Sequence, residues 1–155
     1  MTSFSSKDIK FMNIALSLAK IALNNGDIPV GAIIVKDDLI IGKGYNLSKL
    51  KNDPTLHAEV VAIKDTIKKY GIYTLKDSTI YTTLEPCMFC FGLINQVKIG
   101  KIIFGAYDKN NGVCGGWQDF SLLKPFYNKV IVLGGLLSEE SQQLLKNFFK
   151  SIRKK

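Results

Sequence analysis

Apolar residues recur every three or four positions near the start of the chain, which is the spacing of one face of an α-helix. This periodicity covers residues 7–24, and the side chains on the shared face are Ile9, Met12, Leu16, Ala19 and Leu23. Ser6 is a suitable N-cap residue, and Gly26 stands where a helix-terminating glycine is expected. The first element is therefore predicted to be an amphipathic helix.

The remaining pattern predicts a sheet that carries helices on both of its faces. Apolar runs predict five strands, over residues 30–36, 39–45, 78–83, 101–106 and 129–133. Helical periodicity predicts further helices over residues 57–70 and 86–97, and from residue 138 into the basic C-terminal tail. The segments 46–56 and 107–124 are predicted to be loops, and the second, which contains Trp117 and Phe120, is long enough to suggest a function. The order α-β-β-α-β-α-β-β-α is typical of an α/β layered domain.

Length and composition fit one globular domain. The chain has 155 residues, which is long enough to bury a core of its own. No apolar run reaches the roughly 18 residues of a membrane span, and the first ten residues lack the apolar stretch of a secretion signal. We therefore expect a single domain over residues 1–155, a cytoplasmic location and no membrane partner. The odd cysteine count, three, argues against a disulfide framework.

The net charge of +8 is large for this length. Clustered Lys and Arg side chains neutralise phosphates, so the charge is compatible with a nucleic-acid partner. A lysine-rich composition can also arise from an AT-rich genome without any ligand, and Arg153 is the only arginine of the sequence. Clustering near the C-terminus favours the first interpretation, and the cluster consists of Lys146, Lys150, Arg153, Lys154 and Lys155.

Two short motifs carry candidate chemistry. The only histidine, His57, begins His-Ala-Glu, and Pro86 begins Pro-Cys-Met-Phe-Cys. One imidazole and two cysteines at i, i+3 can hold a zinc ion, since such cysteines share one helix face. At a helix start the dipole favours the thiolate form of Cys87 and Cys90. The pairing H-x-E with P-C-x-x-C is the signature of zinc-dependent nucleobase deaminases. We therefore predict a zinc site where two helix N-termini meet, with His57, Cys87 and Cys90 as ligands.

Glu59 is predicted to be catalytic rather than a zinc ligand. A catalytic zinc site keeps one position for water, which a fourth protein ligand would close. Zinc lowers the pKa of bound water to about 7, and a nearby carboxylate can carry the proton to a substrate. Residues i and i+2 do not share a helix side, so His57 and Glu59 can reach one ion only if the helix points end-on at it. The predicted chemistry is hydrolytic deamination with release of ammonia.

Two other interpretations of these residues remain open. With Cys114, the three predicted ligands form a Cys3His set, which would be a closed structural zinc site in a non-catalytic RNA-binding module. Cys114 lies in a glycine-flanked loop without a helix start to orient it, and a closed site leaves Glu59 without a role. A buried histidine with two core cysteines and no metal is the second alternative, and the co-occurrence of both motifs argues against it.

The chain resembles the bacterial tRNA-specific adenosine deaminases, within the cytidine deaminase superfamily, over nearly its whole length. Beside the zinc motifs, the similar segments are Ile-Pro-Val-Gly-Ala at 28–32, Gly-Tyr-Asn at 44–46, Asp-Pro-Thr at 53–55, Thr-Leu-Glu-Pro-Cys at 83–87 and Phe-Gly-Ala at 104–106 with Asp108. The zinc motifs mark the superfamily, whereas the flanking segments indicate the tRNA-specific group. The chain departs from the usual pattern at Leu56, at Phe89 and in the loop after Asp108.

The resemblance implies a three-layer α/β/α cytidine-deaminase-like fold with a five-strand mixed sheet, one zinc ion per subunit and a homodimer. It implies conversion of adenosine to inosine at the wobble position of the tRNA anticodon loop. It also implies that Asn46 contacts the target nucleoside and that Asp108 helps to hold the loop nucleotides. The region of Phe148, Phe149 and Arg153 is implied to meet the RNA, although adjacent aromatics near a helix end are often core residues. A deaminase of a free nucleobase or nucleoside, of the guanine or cytosine type, would share the metal site and is the alternative.

Overall fold

Five strands form one mixed sheet in the computed structural model, which describes residues 3–123 and 129–153. The strands are β1 (Gly31–Lys36), β2 (Leu39–Tyr45), β3 (Thr79–Leu84), β4 (Lys101–Ala106) and β5 (Ile131–Gly134). Their order across the sheet is β2-β1-β3-β4-β5. Strand β1 pairs antiparallel with β2 and β3, whereas β4 pairs parallel with β3 and β5. The five-strand mixed sheet expected from the sequence is confirmed.

Four α-helices cover both faces of this sheet. They are α1 (Ser6–Asn24), α2 (Ala58–Tyr70), α3 (Met88–Gln96) and α4 (Ser138–Arg153). Helices α1 and α4 pack on one face, and α2 and α3 supply the core of the other. Side chains of β1 alternate between the two cores, with Ala32 and Ile34 on the α2 side and Ile33 and Val35 on the α1 side. The three-layer α/β/α prediction is confirmed. Within the described residues, no helix has both the length and the apolar character needed to cross a membrane.

The start of α1 differs from the prediction by one residue. Ser5 rather than Ser6 is the N-cap, because the Ser5 hydroxyl accepts the N–H of Asp8 at 3.1 Å. The Asp8 carboxylate accepts the N–H of Ser5 at 3.0 Å in return, which completes a capping box. The predicted apolar face is also shifted, since Ile9 is 41% exposed while Met12 is fully buried. The helix therefore packs against the sheet with its alanine-rich side, and not with the face that contains Ile9.

Other boundaries differ by a few residues. Pro86 was predicted inside the first turn of a helix, but Cys87 is extended (φ −78°, ψ 174°) and α3 begins only at the next residue. Strand β5 begins at residue 131 rather than 129, and two short 3-10 helices, Ile72–Leu75 and Phe120–Leu122, were not predicted. Residue 124, the predicted end of the long loop, and the basic residues 154 and 155 lie outside the described residues.

One edge of the sheet gathers the elements that carry the predicted chemistry. It contains the carboxyl ends of the parallel strands β3 and β4 and, because β1 runs antiparallel to β3, the start of β1 and the end of β2. Helix α2 begins at this edge and lies directly on β2, since a Cβ at Gly44 would come within 2.5 Å of the Ala58 carbonyl oxygen. The carboxyl ends of strands in open α/β sheets are where ligands bind.

Candidate active site

Two helix N-termini meet at this edge of the sheet. His57 is the N-cap residue of α2, Cys87 is that of α3, and Cys90 lies in the first turn of α3. The Nδ1 atom of His57 is 3.7 Å from the Cys87 sulfur and 3.4 Å from the Cys90 sulfur. All three ligand atoms lie within 4.8 Å of one another. The structure thus brings together the three side chains that were predicted to bind a metal.

The separations suit a zinc ion. Bonds of about 2.0 Å to nitrogen and about 2.3 Å to sulfur, at tetrahedral angles, place the two ligand atoms about 3.5 Å apart. The two nitrogen–sulfur distances, 3.4 and 3.7 Å, lie on either side of this value. Imidazole with thiolates is also a donor set that favours zinc over harder ions. Three protein ligands leave one tetrahedral position for water, as in catalytic zinc sites.

The protonation states of the three side chains depend on one another. A hydrogen bond from the Cys90 thiol lowers the pKa of Cys87 to about 4, and the neighbouring imidazole contributes. The same hydrogen bond raises the pKa of Cys90, and burial acts in the same direction. The pKa of His57 is raised, chiefly by its hydrogen bond with Cys87. One thiolate therefore forms readily, whereas a second thiolate beside it needs a cation, which is the charge that a metal ion supplies.

Glu59 lies beside the metal-binding group, in the first turn of α2, and only 4% of it is exposed. Burial raises the pKa of its carboxyl group. On β3, the Thr82 hydroxyl lies 3.1 Å from Oε1 of Glu59 and also 3.1 Å from the carbonyl oxygen of Leu84. A buried carboxyl group with a raised pKa at a metal site is the environment that enzymes use for proton transfer.

A cleft of about 430 Å³ opens onto these residues, and its lining consists of Ile28, Val30, Asn46, His57, Glu59, Leu84, Glu85, Cys87, Asp108 and Asn111. Its volume falls within the range of small-molecule sites. The structure places both Asn46 and Asp108, the predicted nucleoside and nucleotide contacts, in this lining. Asn111 lies there as well, although the sequence reasoning gave it no role.

A buried carboxylate supports Asn46. The Nδ2 atom of Asn46 is 3.3 Å from Oδ1 of Asp27 and 3.3 Å from the Ser48 hydroxyl. Asp27 is fully buried and accepts the N–H groups of Ile28 at 2.8 Å and Lys49 at 2.9 Å. Asp27 thus holds both the amide of Asn46 and the backbone that follows β2. The sequence reasoning missed Asp27, for which the available signal was an acidic residue three positions before the predicted first strand.

Glu85 is a second buried carboxylate that the sequence reasoning left without a role. It is 3% exposed and accepts the N–H groups of Asp108 at 2.8 Å, Cys114 at 2.7 Å and Gly116 at 2.8 Å. The Asp108 carboxylate in turn accepts the N–H of Asn111 at 3.2 Å. The loop after β4 is therefore ordered around Glu85. A charged residue at the end of an apolar strand, two positions before a predicted metal ligand, was the signal for it.

Cys114 is not part of the metal-binding group that the described residues form. Burial raises the pKa of its thiol, and the Glu85 carboxylate adds to the effect. Its backbone N–H donates a hydrogen bond to Oε2 of Glu85 at 2.7 Å. The arrangement is that of three protein ligands, not that of the closed Cys3His alternative.

The two aromatic residues near the C-terminus have different surroundings. Phe148 is 3% exposed, with the ammonium group of Lys49 5.0 Å from its ring centroid. Phe149 is 47% exposed, and Arg153 is exposed at the end of α4. Neither Phe149 nor Arg153 is among the described residues that line the cleft. Phe148 is thus a packing residue, whereas Phe149 and Arg153 are accessible on the surface.

Comparison with known proteins agrees with this site. The family model of the cytidine and deoxycytidylate deaminase zinc-binding region matches residues 5–106. The chain is 42% identical over 150 residues to the tRNA-specific adenosine deaminase of Haemophilus influenzae, a match that covers 96% of this chain and 87% of that protein. It is 33% identical over 150 residues to the tRNA-specific adenosine deaminase of Bacillus subtilis, covering 97% and 93% of the two chains.

Solved structures extend the comparison. A structure from studies of A-to-I editing by tRNA:A34 deaminases superposes with a TM-score of 0.84 at 31% identity, covering 88% of this chain and 99% of the other. The guanine deaminase of Nitrosomonas europaea superposes with a TM-score of 0.73 over 96% and 86% of the two chains, but its 18% identity shows the shared fold alone. This chain belongs to the cytidine and deoxycytidylate deaminase zinc-binding family and, within it, to the tRNA-specific adenosine deaminases.

Proposed function

We propose that this protein is a zinc-dependent deaminase that converts adenosine to inosine at the wobble position of the tRNA anticodon. The observation that carries the proposal is the buried Glu59 carboxyl group beside a three-ligand metal site at the base of a cleft. Near-full-length similarity to tRNA-specific adenosine deaminases supports the choice of substrate. A free guanine or cytosine deaminase would share the metal site, but the two curated relatives reported above, at 42% and 33% identity, are tRNA-specific adenosine deaminases.

The chemistry consumes one water molecule and releases one ammonia molecule. A zinc ion held by His57, Cys87 and Cys90 would lower the pKa of a bound water molecule to near neutral. Glu59 accepts a proton of that water molecule on a carboxylate oxygen and delivers it to N1 of the adenine ring. The hydroxide oxygen bonds to C6, the same carboxylate carries the second proton of that water molecule to the C6 amino group, and the C6–N bond breaks to release ammonia. Proton transfer of this kind typically contributes about 10²–10⁴ in rate.

Thr82 fits both protonation states of Glu59. Its hydroxyl carries a single hydrogen, and its two acceptors are equally distant at 3.1 Å. When Glu59 is ionised, the hydroxyl donates to Oε1. When Glu59 is protonated, the carboxyl group can donate to the hydroxyl oxygen, and the hydroxyl can donate to the Leu84 carbonyl oxygen. Neither side chain has to move between these states.

The substrate is proposed to enter as a single extruded nucleotide. Deaminases reach their target atom only after the base leaves its stack, which is cheapest in a single-stranded loop. We assign Asn46 to the target nucleoside and Asp108 to the neighbouring nucleotides, because both line the cleft. Phe149 and Arg153 are accessible at the end of α4, where they suit base stacking and phosphate binding outside the cleft.

Three broader assignments belong to the same proposal. Residues 1–155 act as one deaminase domain, the location is cytoplasmic with the tRNA substrate, and the active form is a homodimer. Light scattering at micromolar concentration tests the last of these, and a monomeric mass at full activity would exclude a required dimer.

The proposed activity is tested with an anticodon stem-loop that carries adenosine at the wobble position. Zinc-loaded wild-type protein should form inosine, detected by mass spectrometry of the nucleosides. A matched Glu59→Gln variant, which keeps the size of the side chain but cannot accept the proton, should bind one zinc ion per chain and form none. Wild-type protein that contains zinc, leaves the stem-loop unchanged and deaminates free guanine or cytosine would replace this proposal with the free-base alternative.

A further inference from the structure

Glu85 lies beside the metal ligands but is bound to another part of the chain. Its Oε1 accepts the N–H of Asp108 at 2.8 Å, and its Oε2 accepts those of Cys114 at 2.7 Å and Gly116 at 2.8 Å. We propose that Glu85 is a positioning residue, which holds the segment 108–116 in the conformation that presents Asp108 and Asn111 to the substrate. This inference rests on the proposed function, because it assigns a role within the same cleft.

Charge and burial make these three bonds strong. Glu85 is 3% exposed, so its carboxylate has given up most of its contact with water. The cost of burying a carboxylate is recovered only if donors replace the water, and bonds to an ionised acceptor are shorter and stronger than neutral ones. Both carboxylate oxygens already accept backbone N–H groups. Although Glu85 contributes to the cleft lining, its acceptor groups are directed to the segment 108–116.

The backbone of this segment fits closely around the carboxylate. A Cβ at Gly112 would lie 2.2 Å from the Glu85 carboxyl carbon, and one at Gly116 would lie 2.2 Å from Oε1. Both distances are shorter than any real contact, so the absence of side chains lets the chain wrap around Glu85. The segment thus closes around one acidic side chain, while Val113 anchors it in the main hydrophobic core.

The hydrogen bonds connect Glu85 to the cleft in two steps. The first is the bond to the Asp108 backbone. In the second, the Asp108 carboxylate accepts the N–H of Asn111 at 3.2 Å, and the Asp108 carbonyl oxygen accepts the N–H of Gly112 at 2.9 Å. Asp108 and Asn111 both line the cleft. Loss of Glu85 should therefore displace the two side chains together.

A separate contact should keep the metal site intact when Glu85 is changed. The N–H of Val113 donates to the Pro86 carbonyl oxygen at 3.0 Å, so the segment remains attached next to Cys87. The three metal ligands lie at the starts of α2 and α3, and the bridge that pairs Cys87 with Gly112 does not involve the Glu85 side chain. The proposal thus predicts altered RNA recognition with unchanged zinc binding.

The test compares Glu85→Gln with Glu140→Gln, the same change at an exposed position of α4. A glutamine has one acceptor oxygen, so at least one of the three N–H groups must face an amide NH₂. Hydrogen exchange of the amides of Asp108, Cys114 and Gly116 should become faster by about tenfold or more in Glu85→Gln. It should not change in Glu140→Gln, and both variants should bind one zinc ion per chain.

Steady-state kinetics distinguish a positioning role of Glu85 from a general effect on the stability of the protein. KM for the wobble-adenosine stem-loop should rise about tenfold in Glu85→Gln, with a smaller change in kcat. In a background that carries both Asp108→Ala and Asn111→Ala, the same Glu85 substitution should raise KM much less, because its effect passes through those two side chains. Glu85→Asp keeps the charge with a shorter reach and should fall between wild type and Glu85→Gln. It also serves as the measured variant if Glu85→Gln does not fold.

Two results would overturn the inference. One is unchanged amide exchange in residues 108–116 of the Glu85 variants, and the other is an equal rise in KM with and without the paired Asp108→Ala and Asn111→Ala substitutions. The exchange experiment uses no RNA, so it decides whether Glu85 holds the segment even if wild-type protein fails to form inosine. That failure would instead count against the proposed function.

Discussion

Replacing Thr82 with valine removes one hydroxyl group from the centre of the site and keeps the shape of the side chain. Thr82 is fully buried, and its hydroxyl is 3.1 Å from Oε1 of Glu59. A hydrogen bond to a charged group contributes about 1.5–3 kcal/mol. If that stabilisation is lost while Glu59 carries charge in the transition state, kcat should fall about 10- to 100-fold, at 1.36 kcal/mol for each factor of ten.

The pH dependence should change in a defined direction. The Thr82 hydrogen bond lowers the pKa of Glu59, which burial otherwise raises. Removing it should raise that pKa further. Because Glu59 must be ionised to accept a proton, the acidic limb of the kcat/KM profile should move to higher pH in Thr82→Val.

Single-turnover inosine formation, measured across a range of pH, is the appropriate assay. Thr82→Ser is the control, because it keeps the hydroxyl and loses only a buried methyl group, which costs about 1 kcal/mol of stability. It should retain kcat within about threefold. Wild-type kcat and an unshifted acidic limb in Thr82→Val would refute the reasoning, as would equal losses in the valine and serine variants.

Three further predictions concern neighbouring residues. Cys114→Ser should keep one zinc ion per chain by metal analysis, and loss of zinc would point to a fourth protein ligand. Phe149→Ala should weaken stem-loop binding by about 1–3 kcal/mol if its ring stacks on a base, and unchanged RNA affinity would exclude that contact. Phe148→Ala should instead lower the free energy of unfolding by about 3–5 kcal/mol, because Phe148 is buried. Asp27→Asn should raise KM with zinc content unchanged, because the Asn46 amide loses its carboxylate acceptor. An Asp27→Asn effect of equal size in an Asn46→Ala background would show that Asp27 does not act through Asn46.

Contacts between residues close in sequence could be predicted, whereas most contacts between distant residues could not. The pairing of Cys87 with Cys90 was predictable because cysteines three residues apart at a helix start are adjacent by local geometry alone. The approach of His57 was predictable only because the H-x-E and P-C-x-x-C motifs occur together in a known signature. The contacts of Asp27, Thr82 and Glu85 join residues 19–31 positions apart in sequence, through hydrogen bonds that depend on sheet pairing. No local spacing indicates such contacts.

Element boundaries and side-chain burial were also predictable where local sequence determines them, and not where tertiary contacts do. Strands β2 and β4 have the predicted boundaries, since their apolar runs end at clear polar or glycine-rich turns. The first helix is instead capped by Ser5 rather than by the adjacent Ser6, because the capping box with the Asp8 carboxylate forms only at Ser5. Phe148 and Phe149 are equivalent in a one-dimensional pattern, and only the packing of α4 buries one and exposes the other.

The position of the metal ligands has a consequence for folding. His57 and Cys87 occupy the N-cap positions of two helices, and neither side chain makes a capping hydrogen bond in the described structure. Because both side chains can bind a metal instead, one zinc ion bound to both would join the starts of the two helices. Metal affinity and folding free energy are then linked quantities, since a ligand that binds only the native state stabilises it by mass action. The supply of zinc in the cell would therefore govern how much of this protein survives as folded chain, in addition to how much of it can catalyse.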